Sequence, residues 1–492
     1  MEMGKSINQP GPQLGADADS ENIVADICVL GGDAAGLAVA TAAVAFGRSV
    51  VLIDRHQLGG EALRHGPLAE RALGAVARRA QALRTASLFG ISGREPEIEL
   101  RAINEHVQEI IREMEPNFAP ERFAGLGVRV IHGAGRFINK RTVVAGDRKI
   151  RARRFVIATG STPAIPVIPG LDNVPYFTAE TIFTNEERLH NLIVIGGGAQ
   201  ALELAQTCCR LGSRVIVLEA GKVLADQDPE LSKFVVERLA SEGIAVHENT
   251  KVDSVEGGLG RVRVNVTVGE DKHTVEGSHL LVAVGRKPAT SDLGLEVAGI
   301  RYDERGIKVN GGLKTTNRRV FAVGQVAAGL PATQGADYFA GIVIRRALLH
   351  TRARVDARQI PAVVFTDPEL AYVGLSEAEA LKTGKKIHVL RWPYRESARA
   401  EAERVTTGHI KVVTGRDGRI LGAGIVGALA GELIGMWALA ISQGLSIKAM
   451  SEWVAPYPTF SEINKNVAAS YYAATPTSPT LRKVIDFLAK LG

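Results

Sequence analysis

Short apolar runs that end in glycines and lead into helix-like stretches recur along the chain. The first run, ADICVL (25–30), precedes a Gly-Gly pair and an alanine-rich stretch, and SVVLID (49–54) follows. A short apolar run bounded by glycine is typical of a buried strand, and the alanine-rich stretch is typical of a helix. The same order returns in NLIVIGGGAQALELAQTCCRLGSRVIVLE (191–219). The pattern therefore predicts two strand-turn-helix-strand units and, with them, two dinucleotide sites.

The remaining hydrophobic pattern predicts further helices and strands and, after them, a C-terminal domain of a different class. We expect helices at about 68–87 and 97–114, strand-rich segments at 128–158 and 256–285, and a buried strand at 320–326 that leads into a helix. After about residue 358, antiparallel strands with a hairpin precede helices at about 430–444 and 447–453, which is typical of an α+β domain. The predicted fold class is α/β, with two Rossmann-like dinucleotide-binding domains and a C-terminal α+β domain.

Length and charge narrow the class of protein. With 492 residues, the chain is long enough for about three domains. Its 46% hydrophobic and 23% charged residues are ordinary for a globular enzyme. The formal net charge is +6, but the basic residues are scattered, and the densest run, RKIRARRF (148–155), lacks interleaved aromatic residues. A nucleic-acid groove combines clustered basic residues with interleaved aromatic residues, so we expect no nucleic-acid partner.

The chain has three cysteines, Cys28, Cys208 and Cys209, which are too few and odd in number for a disulfide scaffold and favour a cytoplasmic location. Cys208 and Cys209 are neighbours in a helical pattern, so their side chains do not face each other, and we expect no redox or metal site there. Residues 1–23 lack the apolar core of a secretory signal and are predicted to be a disordered lead-in. No apolar run reaches the roughly 18 residues of a transmembrane helix.

The first glycine turn, GGDAAG (31–36), matches the G-x-G-x-x-G pattern of dinucleotide-binding turns at Gly31 and Gly36. Asp54 closes the following strand, where an acid accepts hydrogen bonds from ribose hydroxyls. Asp33 replaces the middle glycine. A carboxylate about 4 Å from a phosphate costs about 1 kcal/mol in water and about 4 kcal/mol at an effective dielectric constant of about 20. The alternative is that Asp33 turns back to cap the helix.

The second glycine turn, GGGAQA (196–201), keeps Gly196 and Gly198 and has Ala201 in the third place, which still permits close helix packing. Glu219 ends the next strand and is expected to accept from both ribose hydroxyls of the adenosine. A 2′-phosphate would be repelled by this carboxylate, and no arginine follows at 220–224. The second turn therefore predicts NAD(H) rather than NADP(H).

Several motifs in a fixed order extend this picture over nearly the whole chain. They are GGDAAG with LIDR, LGG (58–60), ATGSTP (158–163), GGGAQALELA (196–205), VAVGRKP (282–288), TTNRRVFAVGQV (315–326), TDPELAYVG (366–374), GRILGAGIVG (418–427) and YPTFSE (457–462). From about residue 24 to 475 the chain resembles the pyridine nucleotide–disulfide oxidoreductases, the group of dihydrolipoamide dehydrogenase, glutathione reductase and mercuric reductase. The resemblance implies an FAD domain (24–164 and 288–350) interrupted by an NAD domain (165–287), and a dimerisation domain (358–480) that forms a homodimer.

The resemblance also implies where FAD and NAD(H) are held. Besides the residues of the two glycine turns, the expected cofactor contacts are Gly60, Thr159, Gly160, Gly285, Gly324 and Gln325. Gln325 stands where the family has an acid, and an amide can still accept that hydrogen bond. One carboxylate is thus lost at Gln325 and one is gained at Asp33, and we hypothesise that the charge around the pyrophosphate is roughly conserved.

The residues that carry out the family's chemistry differ in this chain. The two redox cysteines fall on Ala62 and Pro67, and neither side chain can form the thiolate that attacks a disulfide. The partner subunit's histidine falls on Tyr457, which is a poor base at neutral pH but can donate a hydrogen bond. The glutamate that orients this histidine is kept as Glu462. Dithiol chemistry is therefore excluded by residue type.

An ion pair that the family places beside the flavin is kept in altered form. The lysine falls on Arg71, and its glutamate partner is Glu203. A guanidinium can form the pair, although its shape and its fixed charge make the replacement non-neutral. The tyrosine that gates the nicotinamide pocket falls on Ala199, which would leave that pocket open. The alternative for Arg71 and Glu203 is that their ion pair is purely structural.

The sequence favours an FAD-dependent NADH oxidoreductase that works without a disulfide and without a metal. Hydride transfer from NADH to flavin needs proximity and orientation, which two facing dinucleotide sites provide. The electrons would then pass directly to a small-molecule acceptor, such as a quinone, a dye, oxygen or a small organic substrate. The residues expected to line the acceptor pocket are Glu61, Arg64, His65, Tyr457 and Glu462.

Other functions fit the same motifs. One is a non-catalytic flavin- or nucleotide-binding dimer that acts as a sensor or partner subunit, and another is a dehydrogenase that passes electrons from a bound substrate to NAD. His65 lies between the two lost cysteine positions and can supply a proton near neutral pH, or it is a surface helix residue. Tyr457 can instead pack across the dimer interface.

Overall fold

The computed structural model of the chain describes residues 22–330, 335–473 and 479–490. Residues 1–21 of the predicted lead-in lie outside the described residues, and the first strand begins at Asn22. The predicted fold class is confirmed, because two α/β units precede a C-terminal domain with an antiparallel sheet. The limits of the FAD, NAD and dimerisation domains stay predictions.

The first unit is an α/β sheet with helices packed against it. Its elements are β1 (Asn22–Leu30), α1 (Ala34–Ala45), β2 (Val50–Asp54), α2 (Gly60–Arg64), α3 (Pro67–Thr85), α4 (Leu100–Met114), α5 (Pro120–Gly125), β3 (Val128–His132), β4 (Arg136–Asn139), β5 (Thr142–Ala145) and β6 (Arg148–Ile157). The strands β3-β2-β1-β6 are parallel, and antiparallel β5 and β4 extend the sheet. Parallel strands place their carboxyl ends at one edge, so Gly31 and Asp54 come together there.

The basic run at 148–155 forms most of β6. Ile150 and Ala152 are buried in this strand, whereas Lys149, Arg151 and Arg153 are exposed. Successive side chains of a strand point to opposite faces of the sheet, so the cations are spread along one outer surface. The run is therefore a half-buried strand of the first sheet.

The second unit repeats the same architecture and carries an extra antiparallel sheet. Its elements are β7 (Ser161–Pro163), β8 (Phe177–Thr178), β9 (Asn191–Ile195), α6 (Ala199–Arg210), β10 (Arg214–Leu218), α7 (Pro229–Ser241), β11 (Ala245–His247), β12 (Thr250–Gly258), β13 (Arg261–Val268), β14 (Asp271–Gly277), β15 (His279–Val282) and β16 (Arg286–Pro288). The parallel sheet has the order β11-β10-β9-β15-β8, and β12-β13-β14 form the antiparallel sheet. Antiparallel β7 and β16 connect the two units.

The chain then returns to the first sheet. The elements of this return are β17 (Tyr302–Asp303), β18 (Gly306–Ile307), β19 (Val320–Ala322) and α8 (Ala336–Ala347). Strand β19 pairs in parallel with β6. The predicted strand at 320–326 was wrong beyond Ala322, because Gly324 has φ +69° and begins a 3₁₀ turn that ends at Val326. The helix predicted from residue 97 begins only at Leu100.

The C-terminal domain places helices on a five-stranded antiparallel sheet. Its elements are β20 (Ala362–Val364), β21 (Glu369–Gly374), α9 (Glu377–Lys382), β22 (Ile387–Pro393), α10 (Ala398–Ala402), β23 (His409–Gly415), β24 (Ile420–Gly427), α11 (Ala430–Ser442), α12 (Ile447–Glu452), α13 (Glu462–Ser470) and α14 (Pro479–Leu488). The strand order is β20-β21-β24-β23-β22. Trp437 is fully buried between sheet and helices, and its Nε1 donates to Asn464 Oδ1 at 2.8 Å.

Buried ionic contacts attach the C-terminal domain to the second unit. The Lys411 side chain is only 5% exposed, and its Nζ lies 2.8 Å from carboxylate oxygens of Asp228 and Glu230 and 2.7 Å from Glu377. Asp228 is the N-cap of α7, so one cation on β23 fixes the start of that helix. This contact therefore joins the C-terminal domain to the second unit.

Among the residues that the structure describes, no helix is long and apolar enough to cross a membrane. Over the same ranges, no group of three or more His, Cys, Asp or Glu side chains is arranged to hold a metal ion.

Candidate active site

The first glycine turn requires glycine at both ends. Gly31 has φ +106°, and a Cβ there would lie 2.2 Å from the Ala158 carbonyl oxygen. Gly36 is buried in α1, and a Cβ there would lie 2.0 Å from the Gly31 carbonyl oxygen. The helix therefore begins in direct contact with the strand end, where its free amides favour an anion.

A cavity of about 710 Å³ opens beside this turn, which is within the usual range for a cofactor or ligand site. It brings together eight of the predicted site residues: Gly31, Asp33, Asp54, Gly60, Arg64, His65, Thr159 and Gly160. Thr159 Oγ1 donates to the Ala289 carbonyl at 2.8 Å, which ties the turn after β6 to the segment after β16. Glycines, an acid at the end of β2 and a helix start on one cavity wall fit the adenosine diphosphate part of FAD.

The acids of this wall differ in their contacts. Asp54 accepts hydrogen bonds from the backbone N–H of Gly32 and, at 2.6 Å, from that of His56. Asp33 is the N-cap of α1, and its Oδ1 accepts from the Ala34 N–H at 2.8 Å. The structure thus shows the capping alternative for Asp33, while its side chain still lines the cavity.

The second glycine turn has the same construction at the start of α6. Gly196 has φ +118°, and a Cβ there would lie 2.4 Å from the Ala283 carbonyl oxygen. Gly198 is the exposed N-cap of α6 and has no side chain to shield the first helical amides. Glu219 follows β10, and its Oε1 accepts from the Gly221 N–H at 2.8 Å. This hydrogen bond holds the carboxylate at the turn, where it can meet the ribose of NAD.

Replacing Glu219 by alanine is expected to shift the ratio of kcat/KM for NADH to kcat/KM for NADPH by about 10- to 100-fold towards NADPH. The carboxylate accepts charge-assisted hydrogen bonds from the ribose and repels a 2′-phosphate, and such bonds are worth about 1.5–3 kcal/mol. The measurement is the ratio of kcat/KM for the two nucleotides with one electron acceptor. Glu237→Ala, on the exposed surface of α7, is the control. An unchanged ratio in Glu219→Ala would show that this carboxylate does not select the nucleotide.

An ion pair joins α3 of the first unit to α6 of the second. Arg71 donates to Glu203, whose other oxygen accepts from the Phe365 N–H at 2.9 Å. Burial raises the pKa of Glu203 to about 7, against the opposing effect of Arg71. A second acid, Glu70, has a carboxylate oxygen 3.8 Å from the Arg71 guanidinium. Burial also raises the pKa of Glu70, although Gln200 donates a hydrogen bond to it.

Sequence reasoning missed a second set of polar contacts, at the strands that connect the two units. Arg286 donates to Ser161 Oγ and to Glu180, both at 2.7 Å, and Ser161 donates in turn to Gln325. These contacts connect Gln325, which does not line the cavity, to the crossing of the two units. Arg286 stands in the VAVGRKP motif, so its place was visible in the sequence although its partners were not. Gly285 and Gly324 lie next to these contacts along the chain.

The segment 58–73, which contains α2 and the start of α3, has no cysteine. The helix α3 begins at Pro67. Proline is well suited to a first helical position, because the backbone N–H that it lacks would have no partner within the helix there. Cysteines occur elsewhere: Cys28 is buried in β1, and Cys208 and Cys209 are on α6. Burial raises the pKa of the Cys208 thiol to about 12 and also raises that of Cys209. These thiols are therefore unsuited to serve as thiolates.

His65 lines the cavity, and within the described part of the chain one of its ring nitrogens is left without a hydrogen bond. Its Nδ1 is buried and has no hydrogen-bond partner among the residues that the structure describes. Burial lowers the pKa of His65, and the Glu180 carboxylate opposes this effect. Arg64 also lines the cavity, and it donates to the Leu58 carbonyl at 3.1 Å and to Glu115 at 3.0 Å. The side chain of Glu61 lies outside the described part of the structure.

Tyr457 and Glu462 do not line the cavity of their own chain. Tyr457 lies between α12 and α13 with 73% of its surface exposed, and Glu462 is the first residue of α13. Their position in the C-terminal domain leaves them free to meet a second subunit. Their predicted role at the partner's site stays a prediction.

Comparisons with known proteins match both parts of the chain. The family described as pyridine nucleotide-disulphide oxidoreductase matches residues 25–341, and its dimerisation domain matches residues 360–468. A mercuric reductase of Bacillus cereus is 31% identical over 90% of this chain and 71% of its own length. A dihydrolipoyl dehydrogenase of Bacillus subtilis is 30% identical over 91% of this chain and 96% of its own length.

Solved structures show the same fold. LpdA from Mycobacterium tuberculosis superposes with a TM-score of 0.83 at 26% identity, over 91% of this chain and 99% of its own. The HOCl-induced flavoprotein disulfide reductase RclA from Escherichia coli superposes with a TM-score of 0.79 at 23% identity, over 90% of this chain and 99% of its own. The similarity thus extends over the two α/β units and the C-terminal domain.

Proposed function

Because the chain belongs to the pyridine nucleotide–disulphide oxidoreductase family, we propose that it is an FAD-dependent NADH oxidoreductase that works without a redox-active cysteine pair. The family uses FAD and NAD(P)H. In this chain, electrons from NADH would reach a small-molecule acceptor with no disulfide between flavin and acceptor. The observation that carries the proposal is the segment 58–73, which keeps its helices and its ion pair but contains no cysteine.

The residues around the first cavity would hold FAD. The first glycine turn would take the pyrophosphate, and Asp54 would accept from the ribose. Thr159, Gly160 and Ser161 line the same cavity, and Ser161 donates to Gln325. FAD, when bound, accepts a hydride from a nicotinamide and passes two electrons on. Gly196, Gly198 and Glu219 would hold NADH at the start of α6 in the same way.

The protein's own side chains would orient the two cofactors and manage charge and protons. The Arg71–Glu203 pair bridges the two units, so it would fix the distance between the two dinucleotide sites. His65, which lines the cavity, would donate a proton to the acceptor or accept one from it. Arg64, on the same cavity wall, would favour an acceptor that gains negative charge.

We further propose that the active form is a homodimer. The dimerisation-domain match covers residues 360–468 and includes Tyr457 and Glu462. Tyr457 of the partner subunit would then complete the acceptor pocket and donate a hydrogen bond to the acceptor. The free cysteines fit a cytoplasmic location.

The test is anaerobic reduction of the purified holoprotein by NADH, before and after alkylation with iodoacetamide. We expect bleaching of the flavin absorbance at the same rate in both samples, with no long-wavelength thiolate–flavin band. Quinones and dyes should then restore the colour, whereas oxidised lipoamide and glutathione disulfide should not. A rate abolished by alkylation, or reoxidation by a disulfide, would refute the thiol-free reaction. A yellow protein that NADH never bleaches would identify the non-catalytic dimer instead.

A further inference from the structure

We propose that Phe365 is a positioning residue that holds Arg71 against Glu203. This proposal rests on the proposed function, because it assigns a further residue to the same reaction. Phe365 belongs to the C-terminal domain and follows β20, whereas Arg71 is on α3 and Glu203 on α6. One residue therefore touches both members of a pair that comes from two other units of the fold.

The backbone of Phe365 is held in place by one face of α6. Its N–H donates to Glu203 Oε1 at 2.9 Å. Gln206 accepts from the Asp367 N–H and donates to the Asp367 carbonyl, both at 2.8 Å, and Arg210 donates to Asp367 Oδ2 at 2.7 Å. Positions 203, 206 and 210 lie on one side of a helix. These contacts fix the position of the Phe365 backbone along α6 and its orientation.

The ring of Phe365 then determines where the guanidinium lies. The Arg71 Cζ is 3.9 Å from the ring centroid, which is a close cation–π contact. The Arg71 Nε has no hydrogen-bond partner among the residues that the structure describes, so hydrogen bonds do not fix the guanidinium plane at this atom. A flat guanidinium stacks on an aromatic face in a way that the tetrahedral ammonium of lysine cannot. The ring thus suits the arginine of this chain.

A second carboxylate lies close enough to compete with Glu203 for Arg71. Glu70 lies 3.8 Å from Arg71 and precedes it in α3, and Gln200 on α6 donates to it. Both Glu70 and Glu203 are largely buried, so the guanidinium has a charged alternative close by. The cation–π contact with Phe365 favours the position on Glu203, and without the ring Arg71 can turn towards Glu70.

The test compares Phe365→Leu with Phe365→Tyr in the holoprotein, by anaerobic stopped-flow reduction with NADH. Leucine keeps the backbone N–H but removes the aromatic face, whereas tyrosine keeps both. We expect Phe365→Leu to lower the limiting reduction rate about tenfold, which corresponds to about 1.4 kcal/mol, with less than about a twofold change in the NADH concentration at half-maximal rate. Phe365→Tyr should stay within about twofold of the wild type. Phe89→Leu, at an exposed aromatic residue, is the control.

A double-mutant cycle separates positioning from simple packing. If Phe365 acts through Arg71, then Phe365→Leu should have no further effect on the reduction rate in an Arg71→Met background. The proposal would be overturned if Phe365→Leu and Phe365→Tyr lowered the reduction rate equally. It would also be overturned if the effects of Phe365→Leu and Arg71→Met on this rate were additive in the double mutant.

The same double-mutant cycle can be measured with the midpoint temperature of thermal unfolding, which does not require an active enzyme. Non-additivity between Phe365→Leu and Arg71→Met is expected there too, and strict additivity would overturn the proposal even if the enzyme were active. If NADH does not reduce the wild-type protein, the proposed function fails, while this thermal cycle still decides whether Phe365 holds Arg71.

Discussion

Replacing Arg71 by methionine is expected to slow the reduction of the flavin by NADH about 100-fold, the usual loss when one preorganised charged group is removed from an active site. Methionine keeps much of the length and apolar contact of the arginine but removes the charge that faces Glu203. The ion pair that connects α3 to α6 is then lost, and the two dinucleotide sites are less firmly oriented. Stopped-flow reduction under anaerobic conditions measures this rate.

The same substitution is expected to change how stability depends on pH. Burial raises the folded-state pKa of Glu203 from 4.5 to about 7, so the folded protein binds more protons than the unfolded chain between these values. The contribution of this group to stability therefore falls as the pH rises through that window. Removing Arg71 raises the pKa of Glu203 further and extends the window above pH 7. We expect a loss of about 3 kcal/mol in the free energy of unfolding at a pH above this window, and a smaller loss below it.

Arg79→Met is the matched control, because Arg79 is an exposed residue of the same helix. It should leave both the reduction rate and the pH dependence unchanged. If Arg71→Met reduces the flavin at the wild-type rate but is destabilised, the pair is structural. If neither quantity changes, Arg71 and Glu203 do not interact in solution as they do in the structure.

Replacing Gly36 by alanine is expected to yield a colourless protein that does not take up added FAD. The new Cβ would lie 2.0 Å from the Gly31 carbonyl oxygen and 3.2 Å from the Ala158 Cβ. The nearest atom is backbone, so relief requires the start of α1 to move away from β1, which displaces the amides that would meet the pyrophosphate. Overpacking of this kind costs about 1–3 kcal/mol, and we expect the upper end of that range. Flavin content and urea unfolding measure the two effects.

Gly341→Ala provides the comparison for this variant. Gly341 is also a helical glycine, in α8 against which α1 packs, but a Cβ there would meet no atom within 4 Å. The alanine should leave flavin content unchanged and increase stability by up to about 1 kcal/mol, because glycine is a poor helix former. A Gly36→Ala protein that is yellow and as stable as the wild type would mean that α1 does not start in contact with Gly31.

The predictions that succeeded concern features that neighbouring residues decide. The two glycine turns and the strands and helices around them follow from short apolar runs, glycine and helix-forming residues within about 30 positions of each other. The lack of cysteine at 58–73 is also a property of the sequence alone. By contrast, the strand predicted at 320–326 ended early, because the positive φ at Gly324 depends on how the chain turns back to the first unit.

The sequence by itself determined the two strand-turn-helix-strand units, the family resemblance and the lack of cysteine at 58–73, because each of these depends on residue types at fixed local spacing. Only the tertiary structure decided which groups surround Arg71. Glu203 is 132 positions away from Arg71, and Phe365 is a further 162 positions beyond Glu203. Contacts over such separations arise from the packing of three folded units against each other, and no local pattern encodes which side chains that packing brings within a few ångströms.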